Sequence, residues 1–178
     1  MARNPIQNMV IKAKDEAKLR EFFPDVDTKE LWVRKFHKGF ATIPKTLPLI
    51  MVLMDNLETG KPMSSTYLSL WCLAWDGAFV QIRNERALAL ESGFSGERAV
   101  TTWKSRMRLL QKWGFIEAKS AENEFSFVLI LNPHIILEKL KQQGKLNEEL
   151  YSMLKARDID LGAGGFNRTH PAPTTAAT

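Results

Sequence analysis

One cysteine and three histidines are all that this chain of 178 residues has of the side chains most used in redox and metal chemistry. Cys72 can form no internal disulfide and no multi-thiolate zinc site, and His37, His134 and His170 stand far apart. No stretch reaches the run of about eighteen apolar residues that a membrane-spanning helix needs; the richest, residues 47–57, is interrupted by Pro48, Asp55 and Asn56. The first thirty residues lack the apolar core and small-residue cleavage site of a secretory signal. Phosphate loop, nucleophile elbow, dinucleotide fingerprint and zinc-protease helix are missing. Ser64, Ser65 and Ser95 have no neighbouring histidine and acid to nominate a triad. The expectation is a cytoplasmic chain without metal, cofactor, membrane partner or catalytic site.

What is present fits an ordinary globular protein: hydrophobic residues make up 44% and charged residues 25%. The net charge of +5 is unevenly spread. Residues 1–50 carry ten Lys or Arg against six acids, and residues 95–119 carry six against two. Residues 51–94 and 120–162 are net acidic. Clustered positive charge is the footprint of a nucleic-acid or other anionic partner, although solvated helix faces give the same count.

Proline, glycine and hydrophobic spacing divide the chain into three expected parts: a basic N-terminal arm (1–46), a folded region (47–161) and a disordered tail (162–178). In the arm, Met9, Val10, Ala13, Ala17, Leu19 and Phe22 suggest an irregular helix. Thr28 is expected to cap a short turn bearing Leu31, Trp32 and Phe36 among cations, with Gly39 ending it. The folded region should contain a helix over 47–57 stopped by Gly60, then a helix capped by Ser64 or Ser65 and buried almost all round. A strand at 79–82, two helices broken at Gly93-Phe94-Ser95-Gly96, a β-hairpin (115–118 and 125–131) and two last helices (134–143 and 147–159) complete it. The fold class is α+β, mainly α.

The informative stretch begins at residue 85. Ala89 offers a small side chain where a crossing helix would lie, Gly93 can turn sharply, and Phe94 plugs the corner. On the next helix Val100, Trp103, Met107 and Leu110 recur at spacings of three, four and three, giving one apolar stripe. The opposite face then carries Arg98, Thr101, Thr102 and Ser105, flanked by Lys104, Arg106 and Arg108 and extended by Lys112. Short hydroxyls allow close approach to base edges or phosphates, Arg98 can fork onto guanine, and the lysines and arginines can neutralise phosphates.

Arg86-x-x-Ala89-x-x-x-Gly93-Phe94-Ser95, followed by Val100-x-x-Trp103-x-x-x-Met107-x-x-Leu110-x-x-x-Gly114-Phe115-Ile116, resembles the winged helix-turn-helix superfamily. The likeness covers about residues 64–135; the tryptophan-rich helix ahead of the motif resembles DNA-binding proteins of plasmids and other mobile elements. It implies a winged helix with N- and C-terminal helical extensions, binding double-stranded DNA through a helix at 96–113 in the major groove. Regulation of transcription, or control of replication or partition, would be the job. A palindromic target would bring a homodimer, with candidate seams on the apolar faces of 47–57 or 134–160. The shortest form of the motif puts its first buried aliphatic at Ala99; Val100 is the larger plug, and a longer Ser95-Gly96 turn would accommodate it.

Other readings compete. Winged helices also serve as protein-binding adaptors without DNA. The hairpin tip, Ala121-Glu122-Asn123-Glu124, carries two acids that a phosphate backbone would repel, leaving Lys119 at its base as the one wing cation. Trp71, Trp75 and Trp103 read as core, Trp32 as more open to a partner. His37 and His134 read as surface or capping residues, and Cys72 as a small buried hydrophobe.

Overall fold

Three helices of this chain start on asparagine, and glycine follows the ends of four. Residues 5–27, 29–74 and 77–167 are described by the computed structural model. Helix α1 spans Pro5–Phe22, a 3-10 turn covers Arg34–Phe36, and α2 spans Leu47–Asp55. Then come α3 (Ser64–Leu73), β1 (Phe79–Gln81), α4 (Glu85–Glu91), α5 (Ala99–Lys112), β2 (Ile116–Lys119), β3 (Phe127–Ile130), α6 (Pro133–Gln142) and α7 (Glu148–Leu161). Asn84, Asn132 and Asn147 each accept a backbone N–H of the first turn of α4, α6 and α7. At Gly93 (φ +86) and Gly114 (φ +81) the chain takes the left-handed region open to glycine. Phe94 N–H then reaches back to Ala89 O and Phe115 N–H to Leu110 O, both at 2.9 Å, closing α4 and α5.

The chain divides between Phe40 and Ala41 into two units. In the first, α1 is one continuous helix rather than an irregular one, and its apolar residues are scattered around it, with Met9, Val10, Leu19 and Phe22 exposed. Thr28 lies outside the described residues, as do Trp75, Asp76 and residues 168–178.

The second unit is α+β and mainly helical. Its sheet is antiparallel with order β1-β3-β2: Val80 pairs Val128, and Ile116 pairs Ile130. Alternation turns Val80, Ile116, Val128 and Ile130 inward and Phe79 and Leu129 outward. Helix α5 packs on α4, α3 and β2, while α2 packs on α3 and α7. Leu47, Ile50, Leu53 and Met54 of α2, and Leu137, Leu140 and Leu154 of α6 and α7, lie in the one core. The buried sides of α2, α6 and α7, segments expected as dimer seams, thus belong to the unit's own core, while Val52, Met153 and Ile159 stay exposed.

Several expectations need correction. Ala99, not Val100, is the first buried aliphatic of α5; Val100 is half-buried. The turn is the short one: Gly96 takes φ +77, Arg98 is the N-cap, and the buried stripe becomes Ala99, Trp103, Met107 and Leu110. Helix α3 is not buried all round, for Leu73 and Cys72 are exposed and Trp71 is half-buried. Its inner side instead carries hydroxyls: Ser69 Oγ donates to the Thr66 backbone carbonyl (2.8 Å) and meets Ser92 Oγ at 3.0 Å, while among the described residues Thr66 Oγ1 finds no partner. Ser64 does not cap α3. Asp55, at the end of α2, accepts the N–H groups of Met63 and Ser64 and the Ser64 hydroxyl, tying the two helices together. Helix α2 accordingly ends at Asp55, ahead of Gly60.

His134 is buried, not a surface residue. Residues 162–167, expected to be disordered, pack over it. Gly165 donates its N–H to Asp158 and accepts from Asn132 Nδ2, both at 2.9 Å, while Phe166 meets the rings of His134 and Tyr151 edge-on.

The stripe can be checked directly. Ala99→Leu forces extra methylenes into a filled site and should cost roughly 1–3 kcal/mol. Val100→Ala, at a half-buried position, should cost less than Ala99→Leu in the same urea titration.

Candidate nucleic-acid interface

With Ala99, Trp103, Met107 and Leu110 turned inward, 100° per residue sends Thr101, Ser105, Arg108 and Lys112 to the opposite side of α5. Arg98 stands exposed at the N-cap of the same helix. The expected outer face thus keeps Arg98, Thr101 and Ser105 but loses Thr102, which the helical angle turns to the flank; Ser105 and Thr102 are both half-buried. Arg108 and Lys112 move from the flank to the middle of the exposed face.

The cations of α5 are more engaged than their sequence suggests. Arg108 is 57% exposed yet forms a two-pronged pair with Glu124, its Nε at 2.8 Å and Nη2 at 2.6 Å from the two carboxylate oxygens. That hydrogen bond holds the Glu124 carboxyl below the usual range and raises the Arg108 guanidinium further. Lys112 pairs with Glu58, which also accepts from Trp113 Nε1 at 3.1 Å, and the Lys112 bond keeps that carboxyl below its usual range. Lys104 meets Glu85 of α4 at 2.8 Å. Arg106, half-buried, donates its Nε to Pro62 O (2.9 Å) and lies 5.9 Å from the Phe94 ring, contacts that brace the unit.

Of the eight residues expected to touch DNA, Arg98, Thr101, Arg108 and Lys112 are exposed on the outer side with half-buried Ser105 between them, Lys104 and Thr102 flank it, and Arg106 is occupied elsewhere. Among the described residues Arg98 has no ion-pair partner. Nor has Arg86, exposed on α4, which the sequence placed in the motif but not among the DNA contacts. The acidic hairpin tip was seen in the sequence, but its role was not: Glu124 folds back onto Arg108, sixteen residues away, which no local pattern announces.

A second feature is a cavity of about 720 Å³ between the 42–46 segment, Trp71, Ile130 and Gly165, with His134 in its wall. His134 Nε2 lies 2.9 Å from Thr46 Oγ1 and 3.8 Å from Asp158 Oδ1. Acid and hydroxyl thus face the same ring nitrogen, whereas a proton relay of the triad kind needs them on opposite ones. The group reads as a structural clasp. Among the described residues no three His, Cys, Asp or Glu side chains gather to hold a metal, and no helix is long and apolar enough to cross a membrane.

No family model matches this chain, and no curated protein and no solved structure matches it either.

The clasp carries a pH signature. Burial pushes the His134 imidazole below its ordinary value of 6.5, with Asp158 pulling weakly the other way. The folded state therefore holds His134 neutral, and the unfolded chain takes up the proton first as pH falls. Stability present above about pH 6.5 should be lost as pH drops through and below it. In His134→Gln, thermal midpoints measured across that window should vary less steeply than in the wild type.

Proposed function

We propose that residues 64–130 form a winged helix and that this chain binds double-stranded DNA, with the outer side of α5 in the major groove. The observation that carries the reading is the element order: helix, strand, two helices meeting at the Gly93 corner, then a hairpin whose second strand pairs with the first strand of the unit. That layout leaves α5 with one side buried and one side presenting Arg98, Thr101 and Ser105, a cation and two short hydroxyls suited to base edges and phosphates. Arg108 and Lys112 lie on the same side for phosphate contact. Glu124, by pairing with Arg108, masks the hairpin's own repulsion of a phosphate backbone. Control of transcription, or of replication or partition of a mobile element, is the role this activity would serve.

The second reading is a protein-binding adaptor. It is favoured by one observation: Lys104, Arg108 and Lys112 are each paired with an acid, which lowers the positive potential around α5.

Duplex titration separates the two. If Arg98, Arg108, Lys112 and Lys104 contact phosphates or bases, log K should fall with log salt at a slope of roughly −4, about 0.9 counterion per phosphate. Arg98→Ala should cost roughly 1–3 kcal/mol on a preferred duplex and much less on random DNA. Glu124→Gln, which frees Arg108, should tighten binding to both. No measurable duplex binding with a fully folded chain would leave the adaptor reading standing.

A further inference from the structure

We propose that the first unit carries a separate site for single-stranded nucleic acid, built from the aromatic and basic residues of 32–40. Trp32 is 66% exposed and Phe36 75% exposed, an unusual outlay of large rings on a surface. Each ring has a cation or a histidine beside it. Arg34 lies 4.2 Å from the centroid of Phe40, Lys35 lies 5.7 Å from that of Phe36, and Trp32 stacks on His37 at 5.6 Å and 9°. Even with these neighbours Trp32 and Phe36 keep most of their surface open.

Charge separates this segment from α5. There, Lys104, Arg108 and Lys112 are held by carboxylates. Among the described residues Arg34, Lys35 and Lys38 have no carboxylate at ion-pair distance, and over residues 29–40 four lysines and arginines face a single acid, Glu30. Beyond Glu30, nothing within the segment offsets this charge, which leaves it free to attract an anionic partner. A partner that supplies both flat aromatic faces and a regular row of anions is a nucleic-acid strand with unpaired bases: each base stacks on an open ring while its phosphate meets the adjacent cation. A paired duplex offers the anions but keeps its bases stacked on one another.

An anionic membrane would also supply negative charge, but two features disfavour it. The cations lie across the rings, so sinking the rings into hydrocarbon would draw charge in with them. Helix α1, next to the segment in sequence, has no apolar side to lie on an interface, its exposed apolar residues being scattered around it.

The test uses the full chain, a fluorescein-labelled oligothymidylate as probe, and excess unlabelled random duplex to occupy α5. This site does not rest on duplex recognition, so Arg98→Ala should leave oligothymidylate binding unchanged. Trp32→Ala and Phe36→Ala should each weaken it by roughly tenfold, the usual effect of losing one stacking ring, with thermal midpoints unchanged. Trp32→Phe should restore most of the affinity. Arg34→Gln with Lys38→Gln should flatten the salt dependence. The proposal is overturned if the ring variants bind like wild type, or if duplex displaces the oligothymidylate completely. It is also overturned if phosphatidylserine–phosphatidylcholine vesicles, and not the oligothymidylate, capture the wild type and lose the ring variants.

Discussion

Trp103 sits at the middle of α5 with no exposed surface, its ring edge-on to Phe125 of the hairpin at 5.8 Å. A side chain of that size filling one place in the core leaves α5 little freedom to rotate about its axis. Ala99, Met107 and Leu110 then take the remaining inward positions, and whatever the sequence puts on the other side is what solvent or a partner meets. The contact joins the helix to the hairpin as well, so the tip acids arrive within reach of Arg108. Burial of the indole has a cost, since among the described residues its Nε1–H finds no acceptor. The packing must offset that cost, which fits a residue whose job is to fix orientation.

Charge is organised in two different ways along the chain. Around α5 acids contributed by the α2–α3 connection, by α4 and by the hairpin tip pair with cations of the helix, spaced so that Arg98 and the hydroxyls remain open. The pairs of Arg108 and Lys112 reach solvent and add little to stability, while that of Lys104 with Glu85 is half-buried. Their effect is on potential: they trim the positive field and leave discrimination to a few side chains. Over residues 32–40, Arg34 and Lys35 rest on rings instead, with no carboxylate at ion-pair distance among the described residues.

Periodicity and turn chemistry made most of the second unit legible. The Gly93 and Gly114 stops, the asparagine starts and the alternating hairpin strands can each be read from local residues, because each depends on neighbours within one turn or one strand. Errors came where distant parts decide. Ala99 displaced Val100 because the Gly96 turn is tight, a matter of backbone geometry rather than of side-chain size. The dense apolar run of α3 suggested burial all round, yet hydroxyls lie on its inner side, where Ser69 meets Ser92 at the C-cap of α4. Asp55 took the capping role from Ser64, and residues 162–167 gained order through Phe166 and Gly165, whose partners lie on α6 and α7. In the candidate interface the residues of α5 were readable from a helical wheel, but not their pairing with Glu58, Glu85 and Glu124, which only the fold brings close.

The central claim is that the outer side of α5 is the surface that meets DNA, and the chain's single cysteine makes a direct measurement feasible. Cys72 is exposed on α3, so it serves as the control position for a tethered iron chelate that cleaves nearby DNA. With Cys72→Ser as background, a chelate on Thr101→Cys or Ser105→Cys should cut a bound duplex at a few adjacent positions, and the chelate on Cys72 itself should cut weakly or not at all. Cleavage from Cys72 with none from Thr101→Cys or Ser105→Cys would contradict the account.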